Sequence, residues 1–254
     1  FYPLAQDPGL DSYSLAAPRV AMYEQWGGNM DAGWTRLVLD QFEIPYTYIK
    51  DADIRKGSLK DKYDIIILPN QTAASMKDGL RPGSYPEEYT GGMGEAGLKN
   101  LVDFVDSGGT VLTFGTAFEF AADYLDIGLK NVTADLSSAD FYAPGSIFEL
   151  DVDITHPVGY GLQPKTAAYF ISSPTFGELD ENVEVIGNYP SEPADVLISG
   201  WLRGPEYVAG KAGLIAAPYG DGKIIMAGFR PQHRGQPYGT YKVIFNSIFY
   251  SAAQ

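Results

Sequence analysis

Apolar residues fall along this chain in two patterns, short unbroken runs and helical stripes. The runs are Arg19-Val20-Ala21-Met22-Tyr23, Tyr63-Asp64-Ile65-Ile66-Ile67-Leu68-Pro69 and Thr110-Val111-Leu112-Thr113-Phe114. A branched apolar run with little polar alternation fits a strand buried on both faces, as in a parallel sheet. Tyr46 to Ile49 reads as a further strand. The stripes predict a helix over Ala32–Phe42, carrying Trp34, Leu37, Val38 and Phe42 with Asp31 as its N-cap. A second helix is predicted over Glu95–Asp106, with Leu98, Leu101, Val102 and Val105 on one face and Gly108-Gly109 closing it. Residues Phe1 to Pro18 lack periodicity and hold three prolines, which predicts a linker or extended lead-in over 1–18 and one domain over 19–254.

The second half is richer in strands. They are expected at Ile147–Val152, Ala168–Ser172, Val183–Asn188, Val196–Ser199, Gly213–Ala217 and Lys223–Gly228. Tyr219-Gly220-Asp221-Gly222-Lys223 reads as a hairpin turn between the last two, with Asp-Gly supplying its conformation, and Tyr241–Tyr250 as a closing helix. The fold class is therefore α/β: a doubly wound, mostly parallel sheet with extra β-strands in the second half.

Charge narrows the partners. Eighteen basic against 32 acidic residues give a net charge of −14, which repels phosphate backbones and anionic membrane surfaces. No nucleic acid and no membrane insertion are expected, because no apolar run approaches the roughly 20 residues that span a bilayer. The chain contains no cysteine, so disulfides, thiolate metal sites and thiol catalysis are all excluded. It begins at Phe1 without a signal-like pattern, as a processed product or excised piece would.

The segment Gly109 to Ala117 reads as a buried strand, a sharp turn and a helix. In hydrolytic and amidotransfer folds such a turn presents a Cys or Ser, and here Thr116 stands at the approximate position. The crevice of an open α/β sheet lies beyond the carboxyl ends of its strands. Glu24, Trp26, Asn29, Asp31, Asn70, Thr116 and Glu119 follow predicted strands, and Arg230, His233 and Arg234 follow the last strong one. These carboxylates, guanidiniums, imidazole and indole are a candidate site for a small polar ligand, a sugar or a peptide end. The alternative is that the Arg and Glu residues are structural ion pairs that pin the last loop.

The order of elements resembles the class I glutamine amidotransferase-like fold, a flavodoxin-like sheet. The block Gly220-Asp221-Gly222-Lys223-Ile224-Ile225-Met226-Ala227-Gly228-Phe229-Arg230-Pro231-Gln232-His233-Arg234-Gly235, followed by Lys242 and Phe245-Asn246, carries a narrower likeness. It resembles the end of amidotransferase-like domains appended to bacterial zinc carboxypeptidase-like proteins of the carboxypeptidase A type. Tyr23-Glu24-Gln25-Trp26, Asn29 to Arg36 and Pro86 to Gly92 resemble the same group. The resemblance implies an exported bacterial protein, periplasmic or extracellular, whose upstream peptidase domain holds the zinc and is the partner of this one. It implies no cofactor in this fragment. The family's zinc motif, His-x-x-Glu, is absent, since Gly159 stands three residues after His156 and Gln236 three after His233.

The resemblance also implies a triad of Cys, His and an acidic residue, of which this chain offers only Thr116 and His233. The expected function is thus a non-catalytic accessory domain that supports the peptidase domain or binds its substrate. Two alternatives stand beside it. One is a hydrolase using Thr116 and His233; the other is a carbohydrate-binding module using Trp26, Trp201 and Tyr207. Three further motifs have blander readings. Gly92-Met93-Gly94-Glu95-Ala96-Gly97 matches a dinucleotide pattern without a preceding strand. Glu149, Asp151 and Asp153 before His156 alternate as on a half-exposed strand. Asn70-Gln71-Thr72 and Asn131-Val132-Thr133 are glycan acceptors only in a eukaryotic secretory protein.

Overall fold

Ile65, Ile66, Ile67 and Leu68 are all fully buried, yet alternate residues face two different cores. That alternation organises the molecule, whose residues 15–253 are described by a computed structural model. In chain order the first half runs β1 (Val20–Tyr23), α1 (Met30–Gln41), β2 (Thr47–Ile49), α2 (Asp51–Lys56), α3 (Leu59–Lys62), β3 (Ile65–Leu68), α4 (Ala73–Asp78), α5 (Gly94–Asp106), β4 (Thr110–Phe114) and α6 (Glu119–Tyr124). The second half runs β5 (Lys130–Asn131), β6 (Ser146–Val152), β7 (Lys165–Phe170), β8 (Phe176–Gly177), β9 (Glu184–Asn188), β10 (Leu197–Ser199), β11 (Ala212–Tyr219), β12 (Gly222–Ala227) and α7 (Tyr241–Tyr250).

All of these strands join one sheet, with the path β10-β6-β9-β11-β12-β4-β3-β1-β2. The portion β2-β1-β3-β4-β12 is parallel throughout. Its order is the flavodoxin-like one, with a switch point between β1 and β3. The extra strands of the second half extend the sheet as an antiparallel wing that starts at the β11–β12 hairpin. On one face Val20, Met22, Ile65, Ile67, Leu112, Phe114 and Ile225 pack with Val38 and Leu39 of α1 and Ile244 and Ile248 of α7. On the other, Ala21, Tyr23, Ile66, Leu68, Val111, Ile224 and Met226 pack with Ile54, Met76, Leu101 and Phe104. A sheet covered on both faces is why its parallel strands read as unbroken apolar runs.

Several local expectations shift. The cap of α1 is Asn29, whose Oδ1 accepts from the Ala32 N–H at 3.1 Å; Asp31 lies inside the first turn. α2, α3 and α4 were not legible as helices, being four to six residues long with at most two buried positions each. β7 spans Lys165–Phe170 rather than Ala168–Ser172. In the β11–β12 hairpin Tyr219 pairs with Gly222, so the loop is Gly220-Asp221 and the positive φ, +54°, belongs to Gly220. A glycine at the first central position suits a tight hairpin of this length. Of the lead-in expected over 1–18, residues 1–14 lie outside the described residues, and Leu15 forms an antiparallel bridge with Ala253.

Candidate functional site at the carboxyl edge of the parallel strands

The residues that follow β1, β3, β4 and β12 share one edge, and hydrogen bonds knit the first three strand ends together. Glu24, directly after β1, is buried; its Oε1 accepts from the Asn29 N–H at 3.0 Å and its Oε2 from the Tyr48 hydroxyl. Arg36 lies 3.7 Å from the same carboxylate. Asn29 caps α1 and donates through Nδ2 to the Asn70 carbonyl at 3.1 Å. Gln71 donates to Gln25 Oε1 at 2.6 Å, and Ser75 donates to the same oxygen at 3.1 Å. A helix start next to a strand end commonly receives an anion. Here the chain's own Glu24 takes the Asn29 N–H, so that place is filled from within.

A ladder of cations and rings lies over this network. The Arg36 guanidinium sits 4.5 Å from the Tyr48 ring centre, and Lys50 Nζ is 4.6 Å from both Tyr48 and Trp26. Trp26 then meets Tyr89 edge to face at 4.8 Å. Desolvation lowers the Lys50 pKa, while burial and the neighbouring Glu24 raise that of Tyr48.

The turn after β4 is where a nucleophile would be presented. Its left-handed backbone belongs to Gly115, φ +54°, and not to Thr116, one residue on. A Cβ built on Gly115 would lie 2.0 Å from Asn70 Oδ1, so Asn70 occupies the space such a side chain would enter. That oxygen accepts from the Thr116 N–H at 2.9 Å and from its hydroxyl at 3.3 Å. The placement of Thr116 at the elbow is thus corrected by one residue. A β-branched residue avoids the strained conformation, and glycine takes it without strain. Glu119 accepts from the Ala73 N–H at 3.0 Å, tying α6 to the start of α4.

The residues after β12 gather around the first turns of α1. Arg230 Nε approaches Asp31 Oδ1 at 3.6 Å, and both atoms are buried without a hydrogen-bond partner among the described residues. Burial raises the Asp31 pKa and Arg230 opposes the rise. Gln232 donates to Thr35 Oγ1 at 3.1 Å. The His233 ring stacks on Tyr169 at 4.0 Å and meets Trp34 edge to face at 4.7 Å. Desolvation, with Arg230 and Arg234 adding repulsion, pulls its pKa down to about 4. Such an imidazole is neutral at pH 7 but a weak base there. Among the described residues no hydrogen bond joins it to Thr116.

Glu24, Trp26, Asn29, Asn70, Thr116 and Glu119 are thus contiguous, and Asp31, Arg230 and His233 form a second cluster beside α1. Arg234 is exposed. Trp201 stands apart from all of them: it follows β10 at the far end of the sheet path, is 60 % exposed, and is held through its backbone by Ser146. Residue order missed Gln25, Arg36, Tyr48, Lys50 and Gln71. Gln25 and Gln71 obey the same rule of following a strand, whereas Arg36 and Tyr48 enter through the facing of α1 and β2. In the acidic run before His156, Glu149 and Asp151 pair with Lys165 and Asp153 accepts from the Thr155 N–H and hydroxyl, while His156 Nε2 lies 3.1 Å from Glu184 Oε2. Among the described residues no three His, Asp or Glu side chains come together to hold a metal. No helix among them is long and apolar enough to cross a membrane.

No protein-family model matches this sequence, and no curated protein matches it. Solved structures do share its fold. A GMP synthase component from Thermoplasma acidophilum aligns over 92% of this chain and 94% of its own, at 12% identity and a TM-score of 0.56. PurLQS from Thermotoga maritima aligns over 92% of this chain and 98% of its own, at 18% identity and a TM-score of 0.51. A β-galactosidase from Bacillus circulans sp. alkalophilus aligns over 94% of this chain but 32% of its own, at 14% identity and a TM-score of 0.57. At such identities the likeness carries the fold, and the fold is glutamine amidotransferase-like.

Proposed function

We propose that this chain is a non-catalytic amidotransferase-like module, the accessory domain of an exported bacterial zinc carboxypeptidase-like protein. Its work is to pack against the peptidase domain or to hold that domain's substrate. The observation that carries the non-catalytic part is the turn after β4. A glycine stands where a nucleophile would be presented, and Asn70 fills the space in front of it. The weak basicity of His233, and the Thr116 hydroxyl being bonded to Asn70 rather than to it, support the same reading.

The parent assignment rests on the resemblance of the Gly220–Gly235 block and of the Tyr23–Arg36 region. The β-galactosidase likeness supports a modular role, because there the same fold makes up about a third of a longer enzyme chain. In this reading zinc chemistry belongs to the upstream domain. The test is release of C-terminal residues from peptides by this chain alone and by the full-length parent, each supplied with zinc. Release by the parent alone supports the proposal; release by the isolated chain overturns it.

A further inference from the structure

The solvent face of the β6–β7 hairpin is the floor of a groove that the carboxyl-edge site does not include. Along these strands Ser146, Phe148 and Leu150, and Thr166, Ala168 and Phe170, point into the core. The alternate positions Ile147 and Glu149, and Lys165, Ala167 and Tyr169, therefore face outward, in the register Ile147↔Tyr169 and Glu149↔Ala167. Residues 236–242, leading into α7, form the opposite wall, and residues 161–163 close one end. The groove, open to solvent along one side, has a volume of about 620 Å³, within the size range of small-molecule sites.

The lining of this groove is chemically unlike the rest of the molecule. The chain carries a net charge of −14, yet two lysines line the groove. The carboxylates beside its floor, Glu149 and Asp151, are both paired with Lys165, Asp151 at 3.5 Å. Lys242 has no carboxylate partner among the described residues; its ammonium donates to the Gly161 carbonyl. Lys242 also sits in the first turn of α7. The Thr240 hydroxyl that could cap this helix is turned away, donating to the Pro231 and Pro237 carbonyls at 2.8 and 3.0 Å. A 3-10 turn, Tyr238–Thr240, runs straight into α7 and the Tyr241 N–H donates to the Tyr238 carbonyl, so the positive charge this wall offers is the Lys242 ammonium. Two rings and two amides complete the lining. Tyr169 is fixed by its stack on His233 and Tyr238 is 59 % exposed, and Gln163 and Gln236 bring carboxamides.

We propose that this groove binds a small organic carboxylate on a polar body of about disaccharide or dipeptide size. The carboxylate meets Lys242. The body lies against Tyr169 and Tyr238, with Gln163 and Gln236 in hydrogen-bonding range of its polar groups. The site stands whether or not the chain serves a peptidase. Two sources share the chemistry, an acidic sugar and a peptide C-terminus, and the test separates them.

The experiment is calorimetric titration of the whole chain with two matched pairs: digalacturonate against galactobiose, and N-acetyl-dialanine against its amide. At least one acid is expected to saturate at a Kd on the order of 1 mM or below. Its neutral partner should bind roughly tenfold more weakly, as loss of a charge-assisted contact requires. Lys242→Gln should weaken the acid about tenfold and leave the neutral compound unchanged, and affinity for the acid should fall with added salt. Tyr238→Ala, at an exposed position, should weaken the acid without unfolding the chain. Which acid binds identifies the source. The proposal is overturned if neither acid saturates by about 10 mM, if acid and neutral partner bind alike, or if folded Lys242→Gln and Tyr238→Ala both bind the acid as the native chain does.

Discussion

Gly115→Ala puts the reading of the β4 turn to its most direct test. At φ +54° an alanine pays a left-handed backbone cost of about 1–2 kcal/mol, offset by roughly 0.5 kcal/mol from its stiffer unfolded chain. Its Cβ would stand 2.0 Å from Asn70 Oδ1, so Asn70 must swing away and release the Thr116 N–H and hydroxyl. Loss of that contact adds about 1 kcal/mol. The expected destabilisation is about 2 kcal/mol, or a fall in Tm of roughly 4–8 °C for a domain of this size. Urea and thermal denaturation followed by circular dichroism would measure it. Asn70→Ala removes the obstruction, so the double variant should be more stable than the sum of the single losses by about 1 kcal/mol. A single variant within about 0.5 kcal/mol of the native chain, or strict additivity in the cycle, would refute the claim that Asn70 fills the nucleophile's place.

Other expectations follow from the same edge. His233 should titrate by NMR with a midpoint near 4, and Arg230→Ala or Arg234→Ala should move it upward; a midpoint at 6 or above in the native chain contradicts the crowding described. Its folded pKa lies below the ordinary value of about 6.5, so the stability linked to neutral His233 is complete above pH 6.5 and drains away as pH falls toward 4. Arg230→Ala leaves Asp31 buried without its counter-charge and should cost about 2 kcal/mol, read from the urea midpoint. Arg234→Gly, at an exposed residue with φ +54°, should instead stabilise by up to about 1 kcal/mol, and a loss would show that Arg234 is held by a contact. Thr116→Val should leave the peptide release of the full-length parent unchanged, while a large rate loss would restore Thr116 to a catalytic role.

The parts of this architecture legible from residue order are those whose burial is two-sided. β3 and β4 announce themselves because every position from Ile65 to Leu68 and from Thr110 to Phe114 is buried. The stripe Leu98, Leu101 and Val105 does the same for α5. α2 and α4 stay hidden because six residues with two buried positions hold too little periodicity to register. β7 is misplaced because Lys165-Thr166-Ala167-Ala168 alternates only weakly in polarity, although its burial alternates cleanly. For the site, the rule that functional groups follow strands finds Glu24, Asn29, Asn70 and Glu119. It cannot see that φ turns positive at Gly115 rather than Thr116, since that depends on where Asn70 lies, 45 residues earlier in the chain. Trp201 carries no mark of distance, because its remoteness is set by strand order.

The position of β12 has a consequence for how the chain is made. It is the last of this sheet's strands in chain order, yet it sits between β4, more than a hundred residues earlier, and β11, joining the parallel half to the antiparallel wing. Until residue 227 emerges from the ribosome, the nascent polypeptide carries two open hydrogen-bonding edges in the middle of its future sheet. Neither half can seal the other's edge, and α7 has no completed surface on which to dock. Such a chain is exposed to mispairing until β12 has emerged, so demand for chaperones should persist until that point in its synthesis. Cut at the β11–β12 hairpin, the two pieces would form a complementing pair, with the short one restoring the sheet only when it threads between both edges. Recovery of soluble protein on co-expression of residues 1–220 and 221–254, and not of 1–220 alone, is the observable form of that dependence.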